Sequence, residues 1–318
     1  MTAHAKSPQR MLMGPWGHAV NTVQQLGEVD FGPDALIDLD GYRADWLDGV
    51  LGRGSPPEQP PVRMFVMGAN VWRDEQEWPL TRARATRLYL HSSGTANTRM
   101  GDGTLSDKTP GAERSDVYAY DPRYPVPTYG GHGSGGGGIT RDGAFSIQGP
   151  MDQRSTQQRA DVLVYTTENL PADTEVTGAA ELSLFFSTDV IDTDFFATLS
   201  DVYPDGRAIL ITEGALRTRH RESREMTKLL TPKQTYEVKI PLWETSNVFK
   251  AGHRIRLHIT SSNFPRFNRN LNSGKPMAEE MEEDIQVAHQ VILHDAQHPS
   301  SLMLPVVPAD AKRGTPQR

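Results

Sequence analysis

HRIRLHITS, residues 253–261, alternates apolar and polar side chains without interruption. Ile255, Leu257 and Ile259 point one way while Arg254, Arg256, His258 and Thr260 point the other, which is the period of a β-strand with two unlike faces. The segments around it have the same character. TYEVKI (235–240) puts Tyr236, Val238 and Ile240 on one side. TDFFATLSDVY (193–203) and RAILITEGALRTR (207–219) flank Pro204-Asp205-Gly206-Arg207, residues suited to a tight turn between paired strands. Further out, RLYLH (87–91), DVLVYTT (161–167), AELSLFFS (180–187), HQVILH (289–294) and SLMLPV (301–306) are short runs of strand character. About ten short strands with hardly a helix among them predict a two-sheet sandwich. The 28 glycines and 23 prolines fit this, because they punctuate turns and interrupt long helices.

The first eighty residues read differently. MLM (11–13) is an apolar run cut short by Gly14-Pro15, and Trp16, Gly17 and His18 follow. That pattern predicts a strand ending abruptly so that a histidine projects from the loop, a position where catalytic groups concentrate. Asp34 is a candidate cap for a helix through ALIDLDGYRADWLDGVLG, where Leu36, Leu39, Tyr42, Trp46, Leu47 and Val50 recur at helical spacing. Gly52 and Gly54 end it, and VRMFVMG (62–68) is a second strand. Residues 1 to about 80 therefore form a small α/β piece, residues 85–310 the sandwich, and 311–318 a polar tail. Trp16, Trp72 and Trp78, with Tyr42 and Trp46, either line a ligand pocket or pack a small core, and packing is the commoner use of such rings.

The formal net charge of −7, with no lysine/arginine stripe, argues against a nucleic-acid partner. No apolar stretch approaches the roughly 18 residues needed to span a bilayer, and no signal peptide is visible. Without cysteine there is neither a disulfide framework nor a thiolate site, and a cytoplasmic protein is the default expectation.

For nucleophilic chemistry, the nearest approach to a Gly-x-Ser-x-Gly elbow is His132-Gly133-Ser134-Gly135-Gly136. It lacks the first glycine and an apolar strand leading in, so the run GGHGSGGGG (130–138) reads as a linker. His289, His294 and His298, with Asp295, raise a metal site as an alternative, but Gln-Val-Ile-Leu between the first two prefers a strand. EEMEED (279–284) is expected to be a solvated acidic loop. No cofactor-binding or metal-binding motif is assigned.

Several stretches together resemble one family. MLMGPWGH (11–18) is similar to the histidine loop of the α/β-hydrolases related to cocaine esterase and X-Pro dipeptidyl-peptidase. VRMFVMGANVWRDEQEWPL (62–80) resembles the segment leaving their hydrolase domain. DVLVYTT, DTDFFATLSDVYPDGRA (192–208) and LWETSNVFKAGHRIRLHITSSNFPRFNRNLN (242–272) resemble their carboxy-terminal jelly roll. The resemblance implies a mainly β fold: a galactose-binding-like jelly-roll sandwich preceded by a short remnant of an α/β-hydrolase domain. It also implies a Ser-Asp-His triad in that chain order, in which His18 is the general base. Serine elbow, oxyanion-hole tyrosine and triad aspartate belong upstream of that histidine, and this sequence holds none of them. The chain alone is thus expected to be inert, with an uncovered sheet edge and an uncovered apolar helix face. Its expected partner is the amino-terminal hydrolase half or a second copy of itself. An acyl ester or peptide would be the substrate of a complete enzyme only. The alternative from another class is a non-catalytic β-sandwich that binds a protein or carbohydrate.

Overall fold

A computed structural model describes residues 9–53, 60–132 and 148–309. The chain opens with β1 (Met11–Met13), the short strands β2 (Gln25–Leu26) and β3 (Val29–Asp30), and helix α1 (Leu39–Val50). β4 (Val62–Val66) and β5 (Val71–Glu75) complete a small sheet of order β1-β4-β5, in which β1 runs parallel to β4 and β5 antiparallel. Strand, loop, helix and strand follow in the expected sequence.

The helix starts later than its spacing suggested. Asp34 lies in a 3-10 turn, Pro33–Ala35, and the cap is Asp38, whose carboxylate accepts the Gly41 amide at 2.9 Å. Pro33 and Gly32 favour the tight turn first, and only after the extended Leu36 does the chain meet a residue that can satisfy the first free amides. At the other end Gly52 takes φ +68, a conformation glycine adopts without penalty. Only Leu39 of the helix is buried, while Leu47, Val50 and Leu51 stand 55%, 63% and 59% exposed. The apolar face is real, and its end at residues 47–51 is left uncovered by the described residues.

The rest is a sandwich. Its strands are β6 (Arg84–His91), β7 (Thr104–Ser106), β8 (Asp116–Tyr120), β9 (Leu163–Thr166), β10 (Thr174–Gly178), β11 (Glu181–Thr188) and β12 (Asp194–Val202). Then come β13 (Ala208–Arg217), β14 (Tyr236–Pro241), β15 (Thr245–Phe249), β16 (Arg254–Thr260), β17 (Ala288–Leu293) and β18 (Ser301–Val307). They join in the order β13-β12-β16-β9-β7-β6-β18-β11-β17-β8, with β10 and β15 attached at β18 and β14 at β11. This ribbon folds over on itself. Leu163 and Tyr165 of β9, Phe195 and Leu199 of β12, and Leu257 and Ile259 of β16 share one core with Leu184 and Phe186 of β11, Ile292 of β17 and Leu302 of β18. Phe186 and Phe195 meet edge to face across the two layers, ring centroids 4.6 Å apart.

The alternation in β16 predicted an apolar and a polar face, and both are buried. Arg256, His258 and Thr260 are shut away with Thr198 and Glu213 under residues 126–130 and 153–157. Arg256 donates to Gln157 Oε1 at 2.8 Å, and Gln157 Nε2 lies 3.3 Å from His258 Nδ1. Burial pushes His258 down to about 4, so its ring is neutral at physiological pH.

Two devices tie the small sheet to the sandwich. Past the end of β4, Met67 exchanges backbone hydrogen bonds with Ser246 and Val248 of β15 at 2.9 and 2.8 Å. Gly68 (φ +77) makes this approach possible, because a Cβ there would overlap the Val248 carbonyl. Beside it, Arg73 of β5 grips the Glu175 carboxylate of β10 through two nitrogens at 2.9 and 2.7 Å. Glu75 lies 2.6 Å from the same guanidinium and also pairs with Arg82.

Candidate functional site: the His18 loop

β1 ends where Gly14 must be glycine, since a Cβ would collide with the Trp16 ring. Trp16 turns inward, its ring tilted at 51° to that of Trp72 (centroids 5.6 Å apart), and donates its indole N–H to Ala35 O at 2.8 Å. Trp72 makes the matching bond to Asp34 O at 2.7 Å. On the far side Asn21, at φ 58, clamps Ile37 with both ends of its amide: Nδ2 donates to Ile37 O at 2.7 Å, and Oδ1 accepts Ile37 N at 2.9 Å. The loop is thus pinned before and after His18 to one segment, 35–37. His18 itself is exposed, and among the described residues no carboxylate or hydroxyl bonds its ring. Imidazole gives and takes a proton near neutral pH, but a base needs a nucleophile to serve and a partner to fix its tautomer. The described residues bring neither to it.

Trp16, Trp72 and Trp78 serve packing. Phe31, Ala35, Phe65 and Trp72 form a cluster with Trp16, and Trp78 packs beside Val62, Met64 and Leu80. Trp46 carries the Arg10 guanidinium 4.7 Å over its ring.

The carboxy-terminal histidines do not converge. His289 pairs with Asp189 at 2.7 Å, His298 with Asp295 at 3.1 Å, and the buried His294 with Asp116 at 2.9 Å and Glu113 at 3.2 Å. Among the described residues no three such groups assemble a metal site. Burial alone would depress His294, but Asp116 and Glu113 outweigh it and raise its pKa. Ser92 lies 3.2 Å from His294 Nε2, yet its hydroxyl donates to Asp116 at 2.7 Å. It is held as a donor within a buried network rather than freed as a nucleophile. In the acidic loop, Asp284 pairs with Lys275 at 2.6 Å. Ser134 and the tail lie outside the described residues.

Sequence reading missed a second polar cluster, on β13. Glu213 is buried, accepts Asn263 Nδ2 at 3.0 Å and the His132 backbone amide at 3.1 Å, and pairs with Arg266. Burial would push its carboxyl up, but the His132 contacts and the Arg266 charge hold it below the usual range. A lone glutamate in RAILITEGALRTR carries no signal of this, since its partners lie 50 or more residues away in the chain.

No helix among the described residues is long and apolar enough to cross a membrane. The family model of the X-Pro dipeptidyl-peptidase C-terminal non-catalytic domain matches residues 57–303, a span that begins after His18. The chain is 40% identical over 309 residues to cocaine esterase of Rhodococcus sp. (strain MB1 Bresler), covering 94% of this chain and 51% of that protein. Among solved structures, an aminopeptidase from a marine sediment Thaumarchaeota archaeon superposes with TM-score 0.81 at 27% identity, over 94% of this chain and 49% of that one. An alpha-amino acid ester hydrolase labelled with selenomethionine gives TM-score 0.79 at 28% identity, over 93% and 50%. The chain spans about half the length of the relatives it matches. It belongs to the CocE/NonD-type hydrolase family, as the C-terminal part that includes the X-Pro dipeptidyl-peptidase C-terminal non-catalytic domain.

Proposed function

We propose that this chain is the histidine-bearing half of a serine hydrolase that cleaves ester or amide bonds. His18 is its general base, and the serine and aspartate come from sequence preceding it in a complete enzyme. Residues up to about 80 belong to the hydrolase domain and the remainder to the jelly roll. One observation carries this reading: a loop pinned by Trp16 and Asn21 presents a histidine with no partner among the described residues. An ordinary surface histidine does not need such a frame. Two further features support it. β1 pairs with β4 on one edge only, and the exposed apolar face of α1 adjoins the same piece, so a further strand and helix have a place to dock. A chain without cysteine also loses nothing in a reducing compartment, which fits a cytoplasmic enzyme.

The test is turnover of p-nitrophenyl esters and X-Pro anilides by the purified chain, alone and mixed with the amino-terminal half of the cocaine esterase relative. Alone it should be inert. Reconstituted, it should turn over, and His18→Ala should remove about four orders of magnitude or more. Turnover by the chain alone that His18→Ala abolishes would sink the claim of inertness. A mixture without activity would sink the two-part enzyme.

A further inference from the structure

The Glu213 cluster connects to the His18 loop through a continuous series of contacts. The Glu213 carboxylate holds the His132 amide, and Gly131, at φ +83, lies so close that any Cβ would strike the carboxylate. Gly131 in turn exchanges two backbone hydrogen bonds with Gly149, at 2.8 and 3.0 Å. Gly149 (φ +88) packs on Leu26, and Pro150 O accepts the Glu28 amide at 2.9 Å. Next to it, the Gln148 side-chain oxygen lies 3.2 Å from where a Cβ on Gly17 would stand, with Leu26 at 3.1 Å. Gly17 is the residue before His18. Gly131 and Gly149 stand where a Cβ would overlap a neighbour, and Gly17 where one would press on Leu26 and Gln148.

A buried carboxylate is an unusual way to stabilise a sandwich, because an apolar residue of similar size often does as well. In some proteins a buried ion pair instead fixes a single arrangement of the groups around it. Here those groups are Arg266, Asn263 and the Gly131–His132 turn, and that turn leads toward the histidine loop rather than into the core.

We propose that Glu213 is a positioning residue for His18: by fixing Gly131 and His132 it sets Gly149 and Gln148, and these seat the Gly17–His18 corner. The catalytic meaning of this coupling rests on His18 being the base proposed above. The coupling itself does not, and it can be read without substrate.

Hydrogen exchange of the Val20 amide, which donates to His18 O at 3.0 Å, and of the Ile37 amide, which donates to Asn21 Oδ1 at 2.9 Å, followed by NMR on this chain, is the test. Glu213→Ala should speed their exchange by about tenfold or more, whereas Glu213→Gln, which keeps an acceptor for the His132 amide, should restore most of the protection. Gln148→Ala, a milder change that leaves the Glu213 cluster intact, should also speed both. Glu222→Ala, whose carboxylate pairs with Lys228 and touches none of these links, should not. Unchanged exchange in both Glu213→Ala and Gln148→Ala overturns the proposal, as does an equal rise in Glu222→Ala. In the reconstituted enzyme Glu213→Ala should lower kcat with little change in KM, and Glu213→Gln should recover most of that loss. A full exchange response in a protein that never gains activity would leave the coupling standing and sink the hydrolase reading instead.

Discussion

The sandwich and the amino-terminal piece handle their apolar surface in opposite ways. In the sandwich one core runs through both layers, from Phe195 and Leu257 to Leu184 and Leu302. Its end strands are covered as well. Met151 and Gln153 bond backbone to backbone along β13 at 3.1 and 2.8 Å, and Asn97 reaches Val117 O of β8 at 2.9 Å. The amino-terminal piece has two small clusters, one of which borrows Val307 from β18. Val23, Leu47, Val50 and Leu51 remain in water. One region supplies its own cover. The other is finished on one side by the sandwich and, among the described residues, left open on the other.

The sharpest way to break this contrast is to hollow each region in turn. Phe195→Ala removes a ring packed on Phe186 in a fully buried core and should cost about 3–5 kcal/mol, seen as a lower urea midpoint for the whole chain. Next in size is the junction. Glu175→Ala leaves the Arg73 guanidinium buried without its bidentate partner, at a cost of about 3 kcal/mol. Its effect should be uneven: amides of β4 and β5 should exchange early while those of β12 and β16 keep their protection. Equal loss in both would mean that the chain is one cooperative unit and that the contrast drawn here is only of surface.

A third effect belongs to the sandwich alone and is set by pH. Asp201 of β12 is buried beside His253, 2.9 Å from its Nδ1, and burial pushes its carboxyl up to about 6. The folded state therefore holds the proton to higher pH than the unfolded chain does. The stability it contributes is complete below the unfolded value near 3.8 and is lost as pH rises through about 6. Asp201→Asn stays neutral throughout. Its stability relative to the natural chain should rise by about 2–3 kcal/mol between pH 4 and pH 7. Urea unfolding at both pH values checks this, and a constant difference would show that the buried carboxylate does not drive the dependence.

The two regions were also unequally legible in the sequence. Period-2 alternation located β14 and β16, and the Pro-Asp-Gly-Arg tetrad located the β12–β13 turn, because strand faces and turns are set by neighbouring residues. The start of α1 was misplaced for a local reason as well: two aspartates four residues apart can each cap, and Pro33 with Gly32 decides between them. Burial of the polar face of β16 could not be read. It depends on residues 126–130 and 153–157 crossing that face, and alternation reports that faces differ rather than what covers them. The candidate site divides in the same way. His18 is marked by its Gly/Pro/Trp surroundings, whereas Glu213 acquires its meaning only from Arg266, Asn263 and His132 brought from elsewhere in the chain.

The smallest expected effect tests the open side of the amino-terminal piece. Leu47 and Val50 lie on the uncovered face of α1, so Leu47→Ser with Val50→Ser removes almost no burial from the isolated chain. Its stability should change by no more than about 0.5 kcal/mol, some of that from helix propensity. The same pair should weaken association with an amino-terminal hydrolase half, because the apolar area lost is area that docking would take out of water. The two readouts have to diverge. A large stability loss would show that the helix face is already covered in solution, for instance by a second copy of the chain, and sedimentation of the natural chain as a dimer would identify that cover. A negligible effect on both would mean that whatever completes the small sheet approaches along β1 and leaves α1 in water.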